Sequence, residues 1–355
     1  MSKETLPSVS IGIPTFNASK YIRGCLQSIV NQEYPAHKIE IIVVDGGSRN
    51  GTVEVCRRFP TVVLQDKSMN PDMGKLVSFQ NAKGEIFFYM DADNKLLRPD
   101  WLERMTHPLV TDSAVVGSFT HHVALRSDPA INRYLSYDKL QRDPVLSHFS
   151  IGIEDTIVCS KDGYHVCKFS SGRTPPVGLV LYRRRDIETH IRFMKDEGMF
   201  NPIRFFDIDL PASLAKRGLR TFAYVPIGIH HLHASSLREL TIKRKRSLAI
   251  AFLPSGENRQ FKWFDLSSPG SILKIIGWII WANLVIPSAL KGLYRAIKHR
   301  DPVLLYEPLV AYLVTDSMLV YMIADPRGRE LLRNNAVALL ARLNRKKKQS
   351  SEVGR

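Results

Sequence analysis

The chain's 355 residues are enough for one large domain with an appendage, and four cysteines (Cys25, Cys56, Cys159, Cys167) without metal-type spacing argue against a zinc module and for reduced thiols in a cytosolic compartment. The formal net charge of +16 is unevenly held: residues 1–242 carry 30 Lys and Arg against 26 Asp and Glu, while residues 243–355 carry 20 against 8. The excess belongs to the C-terminal third, and its basic run Lys243–Arg246 lacks the interleaved aromatics of a nucleic-acid platform, so nucleic acid is not an expected partner. Val9 to Pro14 reads as a first buried strand, followed by a polar loop through Thr15, Phe16 and Asn17. Ile22, Cys25, Leu26, Ile29 and Val30 fall at helical spacing. Ile39 to Val44 reads as a β-branched strand ending in Asp45-Gly46-Gly47-Ser48, Thr52 to Phe59 as a helix, and Val62 to Leu64 as a third strand. Such alternation predicts a parallel sheet covered on both faces, with ligands beyond the carboxyl ends of the strands.

Glu85 to Asn94 continues the pattern. An apolar strand ends abruptly in Asp91-Ala92-Asp93, and on extended backbone an i, i+2 pair points both carboxylates the same way. Hard oxygen ligands of that kind suit Mg²⁺ or Mn²⁺, which commonly bridge one or two carboxylates to a substrate's phosphates. A polar turn closing a strand is the plainer alternative. Thr15, Asp45, Asp91 and Asp93 all follow predicted strand ends and so collect on one edge. Further on, residues 120–175 read as an insertion, and Asp207 and Asp209 precede an amphipathic helix around Leu210 and Leu214, where acids could simply complement the helix dipole. Thr221 to Val225 reads as a strand, followed by His230-His231-Leu232-His233, and imidazoles there can ligate a metal or donate to phosphate.

In order, I-P-T-F-N at 13–17, V-V-D-G-G-S-R-N-G-T at 43–52, A-K-G-E at 82–85 and D-A-D-N at 91–94 resemble family 2 of the GT-A inverting glycosyltransferases over roughly the first 110 residues. The resemblance implies an α/β, Rossmann-like, mostly parallel sheet flanked by helices. By the same resemblance Pro14, Thr15, Asn17, Asp45, Gly46, Lys75 and Asp91 would line the nucleotide pocket, with Asp91 and Asp93 at the metal. His231, or His233 second, would complete the metal or diphosphate site. Phe206-Asp207-Ile208-Asp209-Leu210 is similar to the family's E-D-x-D-L segment, with Phe206 in place of Glu. That makes Asp207 the expected catalytic base and Asp209 its reserve. The donor would be a UDP-, GDP- or dTDP-sugar. The 128–144 segment resembles members that build lipid-linked or surface glycans, which makes Arg133 a candidate for acceptor phosphate. The replaced Glu leaves an alternative, a catalytically inactive GT-A-fold scaffold at a membrane.

The C-terminal third also holds the longest apolar stretches. Ile275 to Leu290 is 16 residues without a charge, interrupted by Pro287, and Val303 to Ala324 contains Glu307 and Asp316. A spanning helix needs about 20 apolar residues, and acids are costly at mid-membrane. A two-helix hairpin would also put Lys291, Arg295, Lys298 and Arg300 on the far side, against the positive-inside tendency. The expectation is therefore a catalytic domain at 1–242, divided near residue 110 into nucleotide and acceptor halves, and a basic helical region at 243–355. That region would lie on an anionic membrane surface, peripheral or monotopic, at the cytoplasmic side of the cell membrane. Residues 1–7 lack an apolar run, so no signal peptide is expected.

Overall fold

The computed structural model describes residues 3–249, 253, 260–261 and 268–337; the basic tail at 345–348 lies outside the described residues. The chain forms two compact units that do not follow chain order: residues 1–125 with 151–232, and residues 126–150 with 233–355.

The first unit opens as the periodicity predicts. β1 (Val9–Thr15), α1 (Ile22–Val30), β2 (Ile39–Asp45), α2 (Thr52–Cys56), β3 (Thr61–Gln65), α3 (Pro71–Asn81) and β4 (Ile86–Tyr89) alternate in order. Helix α1 buries Ile22, Cys25, Leu26 and Ile29 and leaves Val30 exposed, one apolar stripe facing the sheet. Asn70 caps α3 by accepting from the Asp72 N–H at 2.8 Å, and Pro71 occupies the first turn, where a missing N–H costs nothing. The chain continues through β5 (Asn94–Lys95), α4 (Trp101–Thr111), β6 (Gly117–Phe119) and β7 (His122–Val123). It leaves this unit for α5 (Ala130–Leu135) and α6 (Pro144–Phe149), then returns as β8 (Ile157–Lys161), β9 (Tyr164–Lys168), β10 (Val180–Arg183), α7 (Arg184–Asp196), α8 (Asp209–Lys216), β11 (Thr221–Tyr224) and β12 (Ile229–His231).

Nine strands make one sheet in the order β3-β2-β1-β4-β10-β6-β11-β9-β8. Only β10 and β9 run against the other strands, so the sheet is mostly parallel in direction. A second, three-stranded sheet, β5-β12-β7, joins the segment after β4 to the segment after β11. Residues 151–175, expected within an insertion, in large part form the β8–β9 hairpin that extends the large sheet.

The second unit is helical: α5, α6, α9 (Leu237–Ser247), α10 (Pro269–Leu284), α11 (Ile286–His299) and α12 (Glu307–Ala324). Tyr134, Leu135, Trp278, Leu304, Val310 and Val314 belong to its core. Glu307 is fully buried there, accepting from Tyr134 Oη at 2.9 Å, Arg295 Nη1 at 2.6 Å and Lys291 Nζ. A buried carboxylate is tolerable only with such partners. The apolar run 275–290 is not one helix. It breaks at Val285, and Pro287 sits in the first turn of α11, where proline is accepted. The two helices bend by 74° and together pass the same length and composition test for a membrane span that residues Pro302–Ala324 pass as one helix, among the described residues.

Candidate functional site

The carboxyl ends of β1 and β2 meet in register, Thr15 opposite Asp45, and the Gly46 N–H donates to the Thr15 carbonyl at 2.8 Å. Asp45, 1% exposed, accepts from the Gly47 and Ser48 N–H groups at 2.9 and 2.8 Å and from Ser48 Oγ at 2.5 Å. Its carboxylate therefore folds the loop after β2 back on itself. Asn17, at φ 51°, donates its N–H to Ser48 Oγ at 2.7 Å and accepts from the Arg49 N–H at 3.1 Å. These bonds tie the loops after β1 and β2 into one rim. Pro14 lies against α3 at Gly74. The hydroxyl of Thr15 is buried on that rim without a hydrogen-bond partner, a cost that a bound polar group would relieve. Pro14, Thr15, Asn17, Asp45 and Gly46 are thus brought together.

Beyond β4 the chain turns rather than continuing extended. The Asp91 N–H donates to Asn94 Oδ1 at 2.8 Å, and the Asn94 N–H donates to the Asp91 carbonyl at 3.0 Å. Asn94 then enters β5 opposite His231 of β12. That small sheet carries an imidazole to the carboxylates: Asp91, Asp93 and His231 offer ligand atoms all within 4.8 Å of one another, and His231 Nε2 is 3.8 Å from Asp93 Oδ1. Cys25 of α1 lies close by, its Sγ 3.8 Å from the Asp91 carbonyl. Burial first, then the Asp93 and Asp91 charges, push its thiol well above the usual range. The two carboxylates are hard oxygen ligands that fit Mg²⁺ or Mn²⁺, while the imidazole is a ligand type that other first-row divalent ions favour more.

Asp207 lies beside Lys75 of α3. It is 50% exposed, and its Oδ2 is 3.8 Å from the Nζ of Lys75. Lys75 is buried, donates to Asp72 Oδ1 at 3.1 Å and lies over the Tyr89 ring at 4.8 Å from its centroid. Burial works against the Lys75 charge, but Asp207, Asp72 and Asp91 outweigh it and hold the ammonium above its ordinary range. Burial and then Asp207 likewise push the Tyr89 phenol up, which keeps it a donor, and its Oη bonds the Gly178 carbonyl. A methyl group on Gly178 would fall 2.1 Å from Asp207 Oδ1, so glycine there makes room for the carboxylate. Asp209 differs: it opens α8 and is 3% exposed. Phe206 is buried against Phe79, Phe87 and Tyr89, with ring centroids 5.7 to 5.9 Å away.

The remaining predicted residues lie elsewhere. His233 is in the second unit, where its N–H donates to Asn132 Oδ1 at 2.9 Å and its Nε2 lies 3.4 Å from Arg244. Arg133 is in the same unit, paired with Asp301 at 3.1 Å. Arg244 pairs with fully buried Asp143, and Lys243 Nζ donates to the His233 carbonyl, so half of the 243–246 basic run is committed to structure. Gly178 and Asp72 were not foreseen as site residues, and Asn94 only as part of the D-A-D-N segment. Asp72 and Lys75 at i, i+3 were the one visible signal, since such a pair shares a helix face.

Residues 10–154 match the family model described as Glycosyl transferase family 2. Glycosyltransferase AglE of Haloferax volcanii is 30% identical over 150 residues, which are 40% of this chain and 49% of that protein. The dolichyl N-acetyl-alpha-D-glucosaminyl phosphate 3-beta-D-2,3-diacetamido-2,3-dideoxy-beta-D-glucuronosyltransferase of Methanococcus voltae is 47% identical over 49 residues, 14% of this chain and 15% of that one. The chain thus spans about half the length of the first relative and less of the second. Among solved structures, mannosyltransferase PcManGT from Pyrobaculum calidifontis, in complex with GDP-Man and Mn²⁺, aligns with a TM-score of 0.46 at 15% identity, covering 94% of this chain and 81% of that one.

Proposed function

We propose, from the match of residues 10–154 to the Glycosyl transferase family 2 model, that the protein transfers a sugar, with inversion, from a nucleotide-sugar to an acceptor hydroxyl or phosphate. The observation that carries the reading is the convergence of Asp91, Asp93 and His231 on the rim that also holds Asp207 and Lys75. A divalent cation, Mg²⁺ or Mn²⁺, held by the first three would neutralise the departing diphosphate. Asp207 is the half-exposed carboxylate among the two candidates, so it can meet an incoming hydroxyl and take its proton as the oxygen bonds to the anomeric carbon. The Lys75 ammonium lies 3.8 Å from its Oδ2 and sets a positive charge beside the attack site. Buried Asp209 charges the start of α8 and has no such access. Thr15, Asn17 and the loop held by Asp45 would cradle the nucleotide.

The acceptor we favour is a lipid-linked or surface glycan, in keeping with the printed name of the Methanococcus relative. The place of action we favour is the cytoplasmic face of the cell membrane, with the second unit on an anionic surface. The apolar helices of that unit, and the concentration of basic residues at 243–355, support this reading. Asp207→Asn tests the base: transfer should fall by at least about 100-fold with donor binding kept. Unchanged transfer would remove Asp207 from the chemistry, and an absence of transfer and of donor hydrolysis in the parent chain would favour the inactive scaffold.

A further inference from the structure

Helices α10 and α11 meet at a residue that is hard to place there. Val285 has φ 61° and ψ −45°, a backbone conformation that a β-branched side chain rarely adopts. Strain of that kind persists where the surroundings over-determine it. The surroundings here hold the inner faces: Trp278 and Ala282 of α10 are buried, Trp278 Nε1 donates to Thr315 Oγ1 at 3.0 Å, and Lys291 and Arg295 of α11 reach buried Glu307. The elbow itself is tied to α12 through Asn283, whose Nδ2 donates to Asp316 Oδ1 at 3.1 Å. Residues 283–286 are all exposed, Leu284 at 59% and Ile286 at 71%.

Outward stripes run into that elbow from both sides. Leu273, Ile276, Ile280 and Leu284 share one face of α10, and Ile286, Leu290, Leu293 and Ile297 share one face of α11; all are exposed. Between residues 269 and 300 there are five Lys and Arg (Lys274, Lys291, Arg295, Lys298, Arg300) and no Asp or Glu. Lys298 lies over the exposed Tyr294 ring, 5.9 Å from its centroid, an amphipathic pair of the kind that sits at headgroup level. With Lys291 and Arg295 paired to Glu307, a second copy of the chain would still set Lys274, Lys298 and Arg300 against their like. A bilayer with anionic lipids offers hydrocarbon to the tip and negative charge to its flanks.

We propose that the α10–α11 elbow is a one-leaflet membrane anchor, with Leu284, Val285 and Ile286 entering the acyl layer and α11 lying along the interface among anionic headgroups. The proposal deepens the reading that the protein works at a membrane face and rests on it. The 74° break means that α10 and α11 are not one straight spanning helix, and it presents residues 284–286 at a corner.

The test is vesicle flotation of the full chain with phosphatidylcholine alone and with added phosphatidylglycerol, comparing the parent with Leu284→Glu/Ile286→Glu. The expected result is binding to the anionic vesicles that is weakened by salt and falls at least about tenfold in the double variant with its circular dichroism unchanged. A second measurement on the parent needs no variant: anionic vesicles should slow tryptic cutting after Lys298 and Arg300. Equal binding by parent and variant, or cutting indifferent to vesicles that the parent does bind, would overturn the elbow alone. A parent chain that binds no vesicle would remove the membrane reading and the elbow together.

Discussion

Asp207 sits at φ 67°, in the left-handed region that asparagine and aspartate enter more readily than other side chains, and Asn17 on the nucleotide rim does the same at φ 51°. Both are residues whose side chains the proposed chemistry needs in one place. Gly178→Ala therefore probes Asp207 without touching it: the added methyl group displaces the carboxylate, and kcat should fall about tenfold or more while donor affinity holds. Equal kcat in that variant would show that the carboxylate's position is not critical. His190 gives a pH signature of the fold. It is buried with Nδ1 unpartnered and Nε2 2.8 Å from Ser213 Oγ; burial, helped by Arg217, holds its pKa down to about 4. The unfolded chain protonates this group near 6.5 and so binds more protons between about 4 and 6.5. Stability should then fall as pH drops through that window, by at most about 1.4 kcal/mol per pH unit from this residue. His190→Gln should flatten the dependence of Tm between pH 7 and pH 5, and an unaltered slope would contradict the assignment. At this scale the aspartates were legible as residues but not as geometry: they lie in a turn closed by Asn94 after β4, not on the extended backbone that i, i+2 spacing presumes. The order of His231 before His233 was legible from the resemblance; that β12 ends at His231 and His233 turns into another unit was not.

Among the elements, the three-stranded sheet matters most for the site. It pairs residues 94–95 with 230–231, and a contact across that sequence distance leaves no local pattern to read. The opening β-α alternation was legible, because β-branched runs, helical spacing and strand-end polar loops agree from β1 to β4. The antiparallel β10 and the β8–β9 hairpin were not, since direction within a sheet is set by partners far away in sequence. Phe206 is an element-level residue rather than a missing acid. It wedges the turn before α8 against α3 and β4, through Phe79 and Phe87. Phe206→Ala should cost about 3 to 5 kcal/mol, read as a shift in denaturation midpoint. A loss below about 1 kcal/mol would mean that the ring is not holding this turn.

Taken whole, the molecule keeps its proposed chemistry within one unit, although two chain segments 25 residues apart in sequence build it. The first segment alone supplies the rim, the carboxylate pair and Lys75; Asp207 and His231 come only after the excursion through residues 126–150. A boundary placed by composition at 242 follows the charge, whereas the compact unit ends at 232, because burial and not charge decides which residues pack together. The central claim is that a cation-binding trio on the rim joins a nucleotide-sugar to the protein. Thermal unfolding of the parent chain and of Asp93→Ala, with UDP-, GDP- and dTDP-sugars and with or without Mn²⁺, tests it most directly. The predicted result is that at least one donor raises Tm of the parent only when Mn²⁺ is present, and that Asp93→Ala, equally folded, loses the rise. Stabilisation by a donor that is the same without Mn²⁺, or undiminished in Asp93→Ala, would contradict it.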